Sequence, residues 1–453
     1  MFSNCDSIIG IDLSNFNTSQ TTNMSSMFYN CSSLEKLNLS NLDTSQVLDM
    51  TYMFYNCASL IELNLNNIDT SNVKNMSNMF SKCSLLNSLS VNNFKTFNVI
   101  DMSNMFYGCS SLKTMTLSNF DTSHVTNMNR MFVRCYSLKS LNLLNFITSQ
   151  VTNMAYMFYN CSSLRNLKIS NFDTSNVITI THMFYYCSSL TTLKISNFKT
   201  SNVITMDHMF FNCDSLDSLN LYNFDTSSVR DMSYMFGKCS KLSSLNISSF
   251  DTSKVTKMNR MFYECKKLNN LCLSNFNTSN VKNMDYIFCH CSSLTSLDIS
   301  NFDTSKVTDM TATFAKCYKL SSLDLSNFNT SRVKNISYIF CQCYNLCLID
   351  ISSFKTSEVI NMSHIFYKCY SLNSLNLSNF DTSNTEKMDS MFYNCLSLKS
   401  LDLSNFNTMK VQNMTNMLYN CANLSYLDIS NFNESQVKDM HNMFFNCKII
   451  KFI

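Results

Sequence analysis

A Met-Phe pair, with a Cys three residues beyond the Phe, recurs at a constant spacing of 26 residues. It opens the chain at Met1, returns at Met27, Met53, Met79, Met105, Met131, Met157, Met183, Met209 and Met235, and is last seen as MFFNC at Met443. Seventeen full units and an eleven-residue remainder fill all 453 residues without insertion or deletion. A fixed period in this range means one supersecondary unit stacked on itself, and it constrains the fold more than any local motif does. The expected organisation is a single uninterrupted array over residues 1–453, without separate caps or an anchor domain.

With each unit numbered 1 to 26 from its Met, the columns separate into inward and outward positions. Column 5 is Cys in all eighteen units, from Cys5 to Cys447. Column 2 is Phe except at Leu418, column 8 is Leu except at Ile8 and Ile450, column 16 is Phe except at Leu42 and Ile68, and column 18 is Thr except at Glu434. Columns 24, 1, 2 and 5, for example Met154, Met157, Phe158 and Cys161, have the i, i+3, i+4, i+7 spacing of a helical stripe. This predicts a short helical segment over columns 23 to 5, with Ala155, Tyr156, Tyr159 and Asn160 facing away. Columns 8, 11 and 13, here Leu164, Leu167 and Ile169, match the leucine-rich-repeat frame, with the strand positions Asn166 and Lys168 pointing out. Phe172 then tucks under a polar corner and Val177 re-enters the core. The fold class expected is an α/β solenoid: a leucine-rich-repeat-like right-handed coil with one short parallel strand and one short helical segment per unit. A single coil buries too little apolar surface to offset the ordering of its own backbone, so stability must come from its neighbours.

The absence of Pro and the presence of only three Gly leave the turns to Asn, Asp and Ser, which tolerate left-handed or Asx-turn geometry. The same lack of Pro excludes a Pro-containing cell-wall sorting motif. Charged residues make up 14% of the chain and the net charge is +3, with both signs scattered. No basic field of the kind nucleic acid requires is present, so no nucleic acid partner is expected. No apolar run approaches the length of a spanning helix, so no transmembrane segment is expected. The first residues, MFSNCDSIIG, are already in repeat phase and carry no basic n-region, so they do not read as a secretory signal.

Candidates for chemistry are few. The column-5 thiols, among them Cys31, Cys57, Cys109, Cys161 and Cys187, are expected to be buried and free, forming a core ladder with Phe158, Leu164, Leu167, Phe172 and Val177. Stacked coils ~4.8 Å apart hold such thiols slightly too far from one another for relaxed disulfides. A partial disulfide ladder and a metal ladder are the alternatives, although the pairs Cys289 with Cys291 and Cys341 with Cys343 lack zinc-site spacing. The six His (His124, His182, His208, His290, His364, His441) fall in outward or corner columns, with no Cys or carboxylate constellation in register, and are expected to be solvated. Column 17 alternates Asp with Asn and Lys (Asp173, Asn329, Lys199), so no carboxylate chemistry can depend on it. No catalytic, cofactor-binding or metal-binding residue is expected, and no enzyme. The aromatic columns are more informative: fourteen of the 21 Tyr lie in columns 26 and 3. Tyr52, Tyr55, Tyr156, Tyr159, Tyr263 and Tyr393, together with the strand's Asn166 and Lys168, are the candidate interaction surface. For the tyrosines the first reading is stacking between coils that shields the apolar stripe, and the contact surface is the alternative to it.

The run C-x-x-L-x-x-L-x-L-S-N-F-D-T-S-x-V-x-x-M-x-x-M-F-x-x-C recurs, with apolar exchanges, at Cys109–Cys135 and Cys161–Cys187. It resembles the 26-residue repeat of the BspA-like leucine-rich-repeat surface proteins, and the resemblance spans the whole chain. It implies a bacterial cell-surface or secreted protein or lipoprotein, with relatives in some protists, acting in adhesion or in binding host, matrix or other cell-surface proteins. It transfers no catalytic residue, and the chain shows neither the signal peptide nor the anchor of typical members. The functional alternative is a structural array that self-associates end to end, or a truncated fragment of a longer surface lipoprotein.

Overall fold

A computed structural model describes residues 1–448 and 451–452; the column-8 Ile450 lies outside them. The coils group into two compact units, Met1–Ser228 and Val229–Ile453, and each is a parallel β-solenoid. The first unit carries β1 (Lys36–Asn38), β2 (Glu62–Asn64), β3 (Ser140–Asn142), β4 (Asn166–Lys168) and β5 (Ser218–Asn220). The second carries β6 (Ser244–Asn246), β7 (Ser322–Asp324), β8 (Leu348–Asp350), β9 (Ser400–Asp402), β10 (Tyr426–Asp428) and β11 (Lys451–Phe452). All but the last occupy columns 10 to 12, and pairing is parallel with a one-period register, as in Lys36 with Glu62 and Leu141 with Leu167. A second ladder of single pairings joins column 23 of successive coils, from Asn23 through Thr205 in the first unit and from Asp231 through Asp439 in the second.

Among the described residues there is no helix, so the helical segment expected over columns 23 to 5 is not formed. The backbone hydrogen bonds show why. Every second amide in this stretch leaves its own coil: Met154, Tyr156, Phe158 and Asn160 donate to the carbonyls of Thr179, Thr181, Met183 and Tyr185 in the next coil, at 3.3, 2.9, 2.9 and 2.6 Å. The amides between them turn inward, Met157, Tyr159 and Cys161 donating to the carbonyls three residues back at 3.3, 3.0 and 3.2 Å. The remaining amide, Ala155, is taken by the Asn153 side chain at 3.0 Å. Columns 26 and 4 have φ > 0, as at Tyr156 (60°) and Asn160 (59°), which is the third-position geometry of a type II turn and is incompatible with a right-handed helix. Consecutive tight turns place apolar side chains inward with the same i, i+3, i+4, i+7 spacing, so the periodicity alone could not separate the two. Ala155, expected to face outward, is buried.

The core is made of columns of like side chains. Cys31, Cys57, Cys109, Cys161, Cys187, Phe158, Leu164, Leu167, Phe172 and Val177 are all buried, and Asn166 and Lys168 are exposed. Column-2 rings stack offset, Phe132 on Phe158 at 5.6 Å and Phe158 on Phe184 at 5.7 Å. Column-16 rings form a second stack, Phe146 on Phe172 on Phe198, at 6.5 Å per step. Among the described residues no cysteine is disulfide-bonded. From Cys31 to Cys213 and from Cys265 to Cys447 the column-5 thiols instead donate to the column-2 carbonyl of the preceding coil, as Cys161 does to Phe132 at 3.0 Å and Cys187 to Phe158 at 3.2 Å.

Polar ladders line the corner. Thr174 donates to the Lys199 carbonyl and accepts from the Lys199 amide, both at 2.8 Å. The column-15 side chain of Asn171 donates to the carbonyls of Leu144 and Phe146 in the preceding coil, at 2.8 and 2.9 Å. Asp173 accepts from the Ser175 amide at 3.0 Å, and the hydroxyl and amide of Ser175 hold its carboxyl below the ordinary carboxylate range.

Two outcomes follow for stability. Asn160→Gly should leave the unfolding midpoint unchanged or raised, whereas Asn160→Ala should cost ~1 kcal/mol, the reverse of the order a helix would show. Thr174→Val removes both corner bonds at constant volume and should cost ~2–4 kcal/mol in chemical denaturation, against less than ~1 kcal/mol for Thr174→Ser.

Candidate functional site: the turn face and its aromatic notch

Column 26 of one unit and column 3 of the next flank a turn, and the φ > 0 at column 26 swings its side chain over the column-3 side chain three residues on. Tyr52, exposed, meets the half-buried Tyr55 edge-on at 5.5 Å, and Tyr55 stacks on Tyr29 at 4.9 Å. Tyr156 and Tyr159, both half-buried, lie 5.7 Å apart, and Tyr159 stacks on Tyr185 at 4.6 Å. Burial raises the Tyr159 phenol above its ordinary pKa, with the Arg134 charge opposing. Tyr393 belongs to a run in the second unit, stacked on Tyr367 at 4.8 Å and on Tyr419 at 4.6 Å. The six tyrosines singled out in the sequence therefore do not form one patch; they belong to separate runs of stacked rings. Asn166 and Lys168 lie elsewhere, in a concavity of about 650 Å³ on the strand face that they share with Ser140, Asn142, Thr192 and Lys194 and with no tyrosine.

The tyrosine runs are interrupted in the second unit, where columns 26 and 3 carry Ala312 and Ala315 and the flanking column-3 positions carry Cys289 and Cys341. These four small buried side chains form the floor of a notch of about 410 Å³. Its walls are Tyr263, Tyr286, Tyr338 and Tyr367, with Lys316, Gln342 and His364 at the rim. Tyr263 meets Tyr286 nearly perpendicular, at 85° and 6.3 Å. Arg260 covers the Tyr286 ring at 4.5 Å and pairs with Asp285 at 3.1 Å, bracing that wall. Burial pushes the Asp285 carboxyl up even so, outweighing Arg260. The thiols of Cys289 and Cys341 are pushed up to about 12, chiefly by burial, and are unreactive. The same unit is irregular in its core: Thr313 replaces the usual Met or Ile of column 1, and its buried hydroxyl donates to the Met310 carbonyl at 2.7 Å. The notch was legible as Ala at column 26 of one unit coinciding with Ala at column 3 of the next, a departure that attention to the tyrosines themselves overlooks.

The histidines also depart from expectation. His182 and His208 both stand in column 26, in consecutive coils, with Asp207 in column 25 between them, so a carboxylate is in register after all. Their rings stack at 4.4 Å and 15°, and Asp207 Oδ2 lies 3.5 Å from His182 Nδ1 and 3.1 Å from His208 Nδ1. All three are half-buried rather than solvated. Burial, with the neighbouring His208, lowers the His182 pKa to about 4 against the pull of Asp207. Burial would raise the Asp207 carboxyl, but hydrogen bonds from His208, Thr181 and Thr205 hold it well below its usual range. His364 pairs with Asp389 in the same way at 3.5 Å.

Five overlapping stretches, residues 1–92, 86–193, 181–273, 269–348 and 343–452, match the family described as Mycoplasma protein of unknown function, DUF285. The chain belongs to this family. These repeats run across the chain and are consistent with a BspA-like leucine-rich-repeat family. No curated protein sequence matches the chain. Similar solved structures include a leucine-rich cell surface protein from Faecalibacterium prausnitzii, at 20% identity over 67% of this chain and 83% of that one, with a TM-score of 0.39. A leucine-rich-repeat protein from Eubacterium ventriosum matches at 15% identity over 86% and 87% of the two chains, with a TM-score of 0.34. One from Bacteroides ovatus matches at 16% over 93% and 76%, with a TM-score of 0.27. Among the described residues of this DUF285 chain, no helix is long and apolar enough to cross a membrane.

The depressed His182 pKa has a testable sign. The native state binds fewer protons here than the unfolded chain does between the ordinary value of 6.5 and about 4. The contribution to stability is therefore complete above 6.5 and is lost as the pH falls through that window. Denaturation midpoints from pH 7 to pH 4 should fall by on the order of 1–3 kcal/mol more for the parent chain than for His182→Phe, which keeps the ring stacked on Tyr156 but does not titrate.

Proposed function

We propose that this DUF285 chain is a non-enzymatic binding protein of the cell surface, and that it holds a host, matrix or other cell-surface protein through the aromatic notch of its second unit. The observation that carries this reading is the notch itself: tyrosine walls around an apolar floor of small side chains. Tyrosine offers large contact area at small conformational cost, and a pocket desolvated on filling is where interface energy concentrates. A bulky apolar or aromatic side chain of the partner fits the floor, and Lys316 and Gln342 supply polar contacts at the rim. The strand-face concavity around Asn166 and Lys168 is the second contact surface in this reading. The constant period supports one uninterrupted array over residues 1–453 as the scaffold, and the family supports a surface location.

Ala315→Tyr puts one ring back into column 3, between Cys289 and Cys341, and fills the notch. Against a panel of immobilised extracellular-matrix proteins, read by biolayer interferometry, the parent chain should bind at least one member. Ala315→Tyr should weaken that binding by about tenfold or more. Unchanged binding by Ala315→Tyr overturns the notch as the contact, and if Lys168→Glu abolishes it instead, the strand face is the binding surface.

A further inference from the structure

The His182, Asp207 and His208 cluster lies in the first unit and plays no part in the proposed binding face. Its three potential ligand atoms all lie within 4.8 Å of one another. The two ends of the Asp207 carboxylate are differently engaged. Oδ1 accepts from the hydroxyls of Thr181 and Thr205, the latter at 2.6 Å, and is thereby fixed in place. Oδ2 faces the two imidazole Nδ1 atoms at 3.5 and 3.1 Å. A tetrahedral cation with bonds of ~2.0–2.2 Å holds its ligands roughly 3.3–3.5 Å apart, so both oxygen-to-nitrogen edges are already near their metal-bound length. The rings are also oriented from outside: His182 is sandwiched between Tyr156 at 4.7 Å and His208 at 4.4 Å. The side chains are 17%, 22% and 25% exposed for His182, Asp207 and His208, which leaves an entry path for a hydrated ion.

We propose that His182, Asp207 and His208 form a binding site for one divalent transition cation of the zinc class, linking two successive coils. Two imidazole nitrogens and one carboxylate oxygen suit zinc, cobalt or nickel and are poor ligands for calcium or magnesium. The fourth position falls to water or to the Thr181 hydroxyl, which lies 3.0 Å from His182 Nδ1. Binding requires the two near-parallel rings to tilt so that their lone pairs converge. Each imidazole must also carry its remaining proton on Nε2, which leaves Nδ1 open to the metal. The chain contains its own comparison site: His364 and Asp389 repeat two of the ligands at 3.5 Å, with Ser363 on Asp389 Oδ1 at 2.5 Å, but the next column-26 residue is Ser390 and the third ligand is missing.

The test uses the full chain, reduced and metal-free, titrated with Co²⁺ and with Zn²⁺. Because the chain has 22 Cys, the readout is the difference between parent and variant rather than total uptake. The parent should take up one equivalent of Co²⁺ more than either Asp207→Asn or His208→Gln. The difference spectrum should show visible d–d bands without a thiolate charge-transfer band, and His364→Gln should behave as the parent. Zn²⁺ should raise the unfolding temperature of the parent and of His364→Gln, but not that of the two site variants. Either site variant alone suffices if the other does not fold, as judged by circular dichroism. Equal uptake by parent and site variants, or a thiolate band in the difference spectrum, overturns the assignment.

Discussion

Everything in this molecule depends on how the backbone amides of columns 24 to 5 are shared out. Half of them bind the next coil and half close turns within their own, in strict alternation. The alternation satisfies the donors of a stretch buried against the core, and it makes each coil the hydrogen-bonding template for its neighbour. It also demands φ > 0 at every column-26 and column-4 residue described, a cost of about 1 kcal/mol or more each for a side chain other than Gly or Asn. Tyr, His, Arg and Lys nevertheless occupy many of these positions. The inter-coil bonds and the stacked rings above them offset the strain, so conformation here is imposed by the neighbours rather than by local preference.

Much of this was legible in the residues. The period located every coil, and the invariance of columns such as Cys161 and Phe158 marked the core. The alternation of Leu167 with Asn166 and Lys168 marked the strand. The helical segment was misjudged because a periodicity of apolar residues reports which side chains point inward, not which carbonyl an amide chooses; a run of left-handed turns satisfies the same pattern. The histidines were misjudged for a related reason. His182, Asp207 and His208 are neighbours only when column 25 is compared with column 26 of both its own and the preceding coil, and a search along single columns does not do that. The free thiols followed from inter-coil spacing, but their donation to the Phe carbonyls, as from Cys161 to Phe132, is a matter of rotamer and could not be read from spacing.

In a lattice of nearly identical coils, individuality resides in the exceptions. Ala312 and Ala315 matter because tyrosines surround them, and His182 matters because His208 stands above it. An ordinary coil presents the same surface as the next, so selectivity must arise where a column changes its residue type. These exceptions sit on the turn face, where a substitution leaves the inter-coil backbone bonds intact. The core columns show no such freedom: the replacement of the column-1 side chain by Thr313 requires a dedicated hydrogen bond to Met310.

The thiol ladder gives the protein an unusual relation to oxidants. Cys109 and Cys161 are completely enclosed and their pKa values are pushed up to about 12, chiefly by burial, so the thiolate that would react is scarce. The enclosed ladder thiols of an intact array are therefore chemically silent in surroundings where exposed thiols pair, as the exposed Cys272 can. If coils part, thiols from several of them become reactive together, and a bridge formed between two would prevent their return to register. Opening would then be recorded covalently, and damage would ratchet along the array from wherever it began.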